Sequence, residues 1–441
     1  MKIITFKRGG VHPPEKKELS KDRSAKKVKI PERVVIPMQQ HIGAPAVPVV
    51  NVGDAVKKGQ IIAKAGGFIS VPVHASISGK ITSIDDFSHP VFSKGKAIEI
   101  ESDGLDSSMQ MKVSVQPEKL TPREIVNIIS DAGIVGMGGA MFPTHVKLSP
   151  PSDKKIDALI INGAECEPYI TADYRSMLEQ TQELMRGAKL MMKAVNAKKC
   201  YIAVEENKLD VYDKFSEELP RFSKDMIPVL LKVRYPQGAE KQLIKAVLNL
   251  EVPSGGLPMD IGVVVQNAAT AVAVCEAIYS GKPLVERIVT VTGEGVVHPT
   301  NIRARIGTCF LDLIEHAGGL NESAAKVIMG GPMMGIAQYS LDVPVIKGTS
   351  SILVLNQDQI NDYSYLACIK CGRCVEACPM GLFASVMGNA AEKEMYELAE
   401  EYNVADCIEC GSCAYVCPSK RPLVQFFKQA KASITRRKKN G

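Results

Sequence analysis

The chain has 441 residues, 45% of them hydrophobic and 23% charged, with a net charge of +6. This is an ordinary globular balance, with length for about three domains. Trp is absent and aromatic residues make up 5%, so a stacking platform for nucleic acid is not expected. No run reaches the roughly 20 apolar residues of a membrane span. The most apolar stretch, residues 261–278, is interrupted by Gln266, Asn267, Thr270 and Glu276. Lysines and arginines gather at the ends, in KKELSKDRSAKKVK and KQAKASITRRKKNG. Such runs read as solvated tails, or as contacts with an acidic partner or a membrane surface.

Residues 1–115 read as short strands, with Gly and Asp turns between alternating apolar runs. The run from Val49 to Asp85 resembles the lipoyl- or biotinyl-carrier fold, a barrel-sandwich hybrid. Those carriers place a modified lysine at a hairpin tip. Lys64 falls before the turn and no lysine occupies the tip, so a structural sandwich without a prosthetic arm is expected. His41 and His74 read as ordinary hydrogen-bonded residues. Residues 107–116 are a polar connector.

The next unit, 116–284, opens with a helix: Thr121 is a natural N-cap, Pro122 suits the first helical position and Glu124 completes a capping box. Strands at 156–165, 199–207 and 227–235 then alternate with helices at 174–195 and 238–250. This alternation predicts a parallel α/β sheet. Residues 285–357 return to β character around a helix at 308–320, a small α+β module.

Residues 358–428 carry eight of the twelve cysteines in two copies of C-x2-C-x2-C-x3-C-P, CIKCGRCVEACP and CIECGSCAYVCP. Three thiolates at this spacing fit three corners of an iron–sulfur cube, and the fourth reaches the other cluster. The crossed sets are Cys368, Cys371, Cys374 and Cys417 for one cluster, and Cys407, Cys410, Cys413 and Cys378 for the other. Structural zinc favours paired C-x2-C knuckles and fits this pattern badly. A disulfide framework is not expected, since no secretory signal precedes the chain. A basic tail, 429–441, follows.

The stretch GIVGMGGAMFPTHVKL, 133–148, turns backbone N–H groups toward an anion if one is present. It lacks the G-x-G-x-x-G dinucleotide fingerprint. An acidic loop, INGAECEPYITADYR, leaves the strand at 156–165 with Glu165 and Glu167 at its carboxyl end, where open α/β sheets bind ligands.

GMGGAMFPTHVK resembles the flavin loop of the NADH-binding subunit of respiratory complex I, and NGAECEP, YPQGAEKQL and VQNAAT resemble its further nucleotide segments. The order of all four parts resembles more closely still the C subunit of the Rnf electron-transport complexes, the ion-translocating ferredoxin–NAD oxidoreductases. That resemblance implies a barrel-sandwich hybrid, an FMN/NAD(H) domain, a soluble-ligand-binding β-grasp module and a ferredoxin-like domain with two [4Fe–4S] clusters. It implies that Gly136, Gly138 and Gly139 approach the flavin phosphate and ribityl and that Lys147 neutralises the phosphate. It places Asn162, Glu165, Asn267 and Thr270 along the flavin, and Glu167 and Glu240 near the nicotinamide or its ribose. Glu165 and Glu167 are the acidic pair at the reaction site. Met137, Met141 and Cys166 depart from the complex I pattern, and GAE keeps one of two carboxylates.

The implied role is a peripheral protein on the cytoplasmic face of the membrane, passing electrons between NAD(H), FMN and the clusters. Its partners would be the complex's other subunits, including an iron–sulfur subunit that meets ferredoxin. Two other readings fit similar modules: a soluble cobalamin reductase, and an electron-carrying scaffold without an active nucleotide site. Lys370 and Arg373 in the first cysteine loop, against Glu409 in the second, predict a higher potential for the first cluster.

Overall fold

A computed structural model describes residues 2–109, 113, 116–360 and 364–440; half of the connector at 107–116 lies outside them. The centre is a five-stranded, wholly parallel sheet in the order Ile3–Ile4, Met226–Leu231, Lys199–Glu205, Ala158–Gly163, Val263–Asn267. Continuous apolar strands such as ALIING suit this setting, because helices cover both faces. The apolar stretch at 261–278 becomes one strand and the helix Ala268–Ser280, buried on nearly every side. It packs on the helix Thr181–Ala194 so closely that a Cβ on Gly187 would lie 1.8 Å from the Ala271 carbonyl oxygen. The capping box forms as expected: Glu124 N–H donates to Thr121 Oγ1 at 3.3 Å and Thr121 N–H to Glu124 Oε2 at 2.7 Å. The single helix expected over 174–195 is two, Ala172–Glu179 and Thr181–Ala194. Gln180 leaves helical geometry with φ −126°. The Thr181 hydroxyl donates to the Met177 carbonyl at 2.7 Å, a side chain bonding backwards at the break.

The sandwich proper has a four-stranded and a three-stranded sheet between Arg33 and Ser102. Its apolar side chains, Val34, Ile36, Ile62 and Ile98 among them, join Val289, Ile302, Phe310 and Ile352 of the β-grasp module in one core. His41 and His74 are buried; Val71 N–H donates to His41 Nε2 at 3.3 Å, and His74 Nδ1 has no partner.

The first thirty residues, grouped by sequence with the sandwich, do something else. Ile3–Ile4 extend the central parallel sheet and Lys26–Lys27 extend the β-grasp sheet. Between them the chain runs as a strap through the junction of the domains. Gly10 N–H donates to the Ala377 carbonyl at 2.9 Å, Val11 pairs with Tyr235, and Ser20 Oγ lies 2.8 Å from Thr171 Oγ1. The basic run read as a solvated tail is therefore partly interior: Lys17 is 7% exposed.

The basic C-terminal run is likewise not a free tail. It continues the helix Leu423–Asn440, whose Leu423, Phe427, Ala430 and Ile434 fill the core of the cysteine domain. Arg437 pairs with Glu397 and Glu400, and Lys438 with Glu400. The amphipathic spacing and the acidic helix opposite explain why so basic a segment folds.

Candidate flavin and iron–sulfur site

The glycine loop leaves the helix Pro122–Asp131 at Gly133, whose φ of +64° favours glycine and whose absent Cβ leaves room for the Lys347 ammonium and the Pro72 carbonyl. Gly136 N–H closes the loop on the Phe142 carbonyl at 2.9 Å. Met137 N–H donates to Thr270 Oγ1 at 3.0 Å, and the Arg287 guanidinium donates to the Met137 carbonyl at 3.3 Å. The loop is thus tied down from two elements while Gly138–Ala140 face outward. Gly139 has φ +97°, and a Cβ there would meet nothing within 4 Å. An open, glycine-lined edge with fixed N–H groups fits a phosphate-bearing cofactor.

Asn162 and Asn267 are register partners at the carboxyl ends of neighbouring parallel strands. Asn267 caps the helix Ala268–Ser280, accepting from Thr270 N–H at 3.2 Å, and donates to Asp173 Oδ2 at 2.6 Å. Asn162 donates to the Gly238 carbonyl at 2.8 Å. Gly138, Asn267, Thr270 and Asn162 therefore share one edge of the sheet. Lys147 pairs with Glu240, joining two further residues of the expected set.

The acidic loop is built from beneath. Lys17 Nζ donates to the carbonyls of Glu165, Glu167 and Ile170 at 2.9, 3.0 and 2.6 Å. Glu165, at φ +48°, turns its carboxyl to the start of the helix Ala172–Glu179, accepting from Asp173 N–H at 2.6 Å and Tyr174 N–H at 3.3 Å. Burial pushes its pKa up to about 7, against the pull of Lys17. The Glu167 carboxylate faces the β-grasp module and accepts from the N–H groups of Met333 and Met334 at 3.1 and 2.8 Å. Gly331 makes this possible, since a Cβ there would lie 2.2 Å from Glu167 Oε2. Burial pushes Glu167 up to about 7 as well.

Three contributors carry little signal in the sequence. Asp173 is a partly buried carboxylate held by Asn267; its only mark is its place in the acidic loop, eight residues after Glu165. Arg287 sits fully buried under the glycine loop, its pKa lowered by burial to about 10. Lys17 looks like any other lysine of a basic run.

The eight cysteines line two pockets. One is walled by Cys378, Cys407, Cys410 and Cys413, the other by Cys368, Cys371, Cys374 and Cys417. These are the crossed sets expected from the spacing. All twelve cysteines are free. Among the described residues no group of three or more His, Cys, Asp or Glu closes on a position for one metal ion. The four thiols of each set line one cavity, and the doubled C-x2-C-x2-C-x3-C-P run suits an iron–sulfur cube.

The two halves of the site meet. Tyr235 Oη donates to the Cys410 carbonyl at 2.7 Å and also faces Glu167. Cys166, of the acidic loop, accepts from Gly238 N–H at 3.3 Å and packs in the same apolar junction as Tyr235, Ile408 and Cys410. Burial pushes the Cys166 thiol up, so it stays protonated.

Residues 129–276 match the Nuo51 FMN-binding domain, 4–105 the RnfC barrel sandwich hybrid domain, 288–337 the SLBB domain and 361–418 a 4Fe-4S dicluster domain. Together these modules define an electron-transfer flavoprotein that binds FMN and two [4Fe–4S] clusters. The C subunit of the proton-translocating ferredoxin:NAD(+) oxidoreductase complex of Clostridium ljungdahlii is 48% identical over 428 residues, covering 96% of this chain and 93% of that one. The Na(+)-translocating counterpart of Acetobacterium woodii is 44% identical, covering 99% and 98%. The C subunit of the ion-translocating oxidoreductase complex of Rhodobacter capsulatus is 41% identical, covering 98% and 83%. The chain belongs to the family formed by the C subunits of Rnf-type ion-translocating oxidoreductase complexes.

Proposed function

We propose that this chain is the peripheral protein through which NAD(H) exchanges electrons with a membrane-bound, ion-translocating ferredoxin:NAD oxidoreductase, on the cytoplasmic face. When bound, FMN would supply the chemistry that joins a two-electron nicotinamide to clusters that carry one electron each. The protein's part is to hold, orient and shield. Gly138 and Gly139 receive the flavin phosphate and ribityl on open N–H groups, and Gly136, whose own N–H is bound to the Phe142 carbonyl, holds the turn that presents them. Lys147 supplies positive charge there, released from Glu240 or shared with it. Asn162, Asn267 and Thr270 fix the edge against which the ring lies. Glu165 and Glu167 set the shape and polarity of the acidic loop on the nicotinamide side, with Lys17 as its anchor.

The observation that carries this reading is the shared wall of Cys166, Tyr235 and Cys410, which puts the flavin domain directly against one cysteine pocket. Among the described residues no helix is long and apolar enough to cross a membrane; attachment through other subunits is part of the proposal. The Clostridium and Acetobacterium relatives are named for different ions, and the ion is left to the membrane subunits.

Gly139→Val tests the flavin assignment. A β-branched residue at φ +97° is strained, and its side chain fills the open edge. FMN bound per chain should fall about tenfold or more, the equivalent of about 1.4 kcal/mol or more, while iron and sulfide content stays unchanged. Full flavin occupancy in that variant would remove the glycine loop from the site.

A further inference from the structure

The two cysteine runs are copies of one loop, so their surroundings are directly comparable. Lys370 and Glu409 hold φ values of 57° and 55°, and Gly372 and Gly411 hold 79° and 83°. The backbones are equivalent; what covers them is not. Cys410 is 7% exposed, and a Cβ on Gly411 would lie 2.8 Å from the Met333 carbonyl oxygen of the β-grasp module. In the other copy Cys371 is exposed, and a Cβ on Gly372 would meet nothing within 4 Å. Ile408 packs against the Tyr235 junction, whereas Ile369 at the equivalent position is 66% exposed. Leu366, whose N–H donates to the Ser419 carbonyl on the wall of the same pocket, is 68% exposed. Ser412 is buried and its counterpart Arg373 is exposed, as is Lys420 beside the pocket.

Resting on the function proposed above, we infer that the face around Cys371 is a docking surface for a neighbouring protein of the complex. That neighbour would carry a one-electron centre near its own surface, within an acidic rim. The inner pocket is closed off by the flavin domain and the β-grasp module, so an electron exchanged with another protein has the outer pocket as its exit or entry. One electron is lost by one centre and gained by the other; no bond is made and no proton is needed. Exposed aliphatic side chains at the centre of a patch mark a protein interface. Two of them, Leu366 and Ile369, favour a lasting neighbour over a carrier held by charge alone. Lys370, Arg373 and Lys420 around them select an acidic partner.

The test uses membranes carrying the whole complex. A photoreactive phenylalanine replaces Leu366 in one preparation and Leu105, 74% exposed on the sandwich side of the chain, in another. Position 366 should give an adduct with one integral or tightly held subunit, and position 105 should not. Adding Arg373→Glu and Lys420→Glu should lower that adduct about tenfold or more at low ionic strength, with the difference narrowing at high salt. Equal adducts at both positions, none at 366, or an adduct with a diffusible protein would overturn the proposal. Separately, EPR of the isolated native chain after adding NADH checks the function it rests on. Clusters that never respond to NADH would sink that function, whatever the crosslinks show.

Discussion

Lys17 shows how a single residue can carry more than its sequence context suggests. Its ammonium ties three carbonyls of the acidic loop and stands 4.0 Å from Glu165 Oε2. Nothing in KKELSKDRSAKKVK separates it from the solvated lysines around it, because its partners lie some 150 residues away. The cysteines are legible for the opposite reason: their chemistry depends on local spacing. The crossing can be read directly. Cys378→Ser and Cys407→Ser should perturb the same EPR signal, and Cys417→Ser and Cys368→Ser the other; pairing within each run would contradict the two pockets. Glu167 makes a pH prediction. Its carboxyl keeps a proton up to about pH 7 in the fold, against an ordinary value of 4.5. Native protein therefore binds more protons than unfolded protein between those values. Its contribution to stability is full below about pH 4.5 and is lost as pH rises through about 7, by at most about 3 kcal/mol. Replacing Glu167 with Gln should flatten that part of the pH–stability curve. An unchanged slope would mean that the carboxyl is already ionised in the fold.

At the scale of elements, regular patterns are legible in the sequence and long-range docking is not. The capping box at Thr121 and the alternating strands and helices follow from local rules, and so does the parallel sheet. The strap over residues 6–25 has no periodicity of its own; its place comes from partners in three other domains. The C-terminal helix is masked by charge, since a run of lysines and arginines reads as solvated unless its apolar positions are counted at helical spacing. Phe427, 1% exposed in the cysteine-domain core and on the wall of the inner pocket, is the natural probe. Phe427→Ala should cost about 3–5 kcal/mol in that domain and broaden or deplete the inner-cluster signal before the outer one. Wild-type melting of the domain, or equal loss of both signals, would contradict this packing.

Across the whole molecule, four modules resembling separate proteins are arranged so that one cysteine pocket is buried against the flavin domain and its copy is open. That asymmetry is not in the shared motif, whose four cysteines, isoleucine, glycine and proline repeat in both copies. It also refines the expected order of potentials. Glu409 alone would lower the potential of the second cluster, but Lys431 lies 2.8 Å from it and Lys428 3.8 Å, offsetting its charge. Burial remains, and a low-dielectric site disfavours the extra negative charge of reduction. The outer cluster, exposed and beside Lys370 and Arg373, should still titrate at the higher potential. The most direct measurement of the whole account is rapid mixing of the anaerobic holoprotein with NADH, frozen at successive times and read by EPR. Both cluster signals should appear, with the one assigned to Cys368, Cys371, Cys374 and Cys417 holding the electron at partial reduction. If dithionite reduces both clusters and NADH reduces neither, the chain does not join a nicotinamide site to its iron.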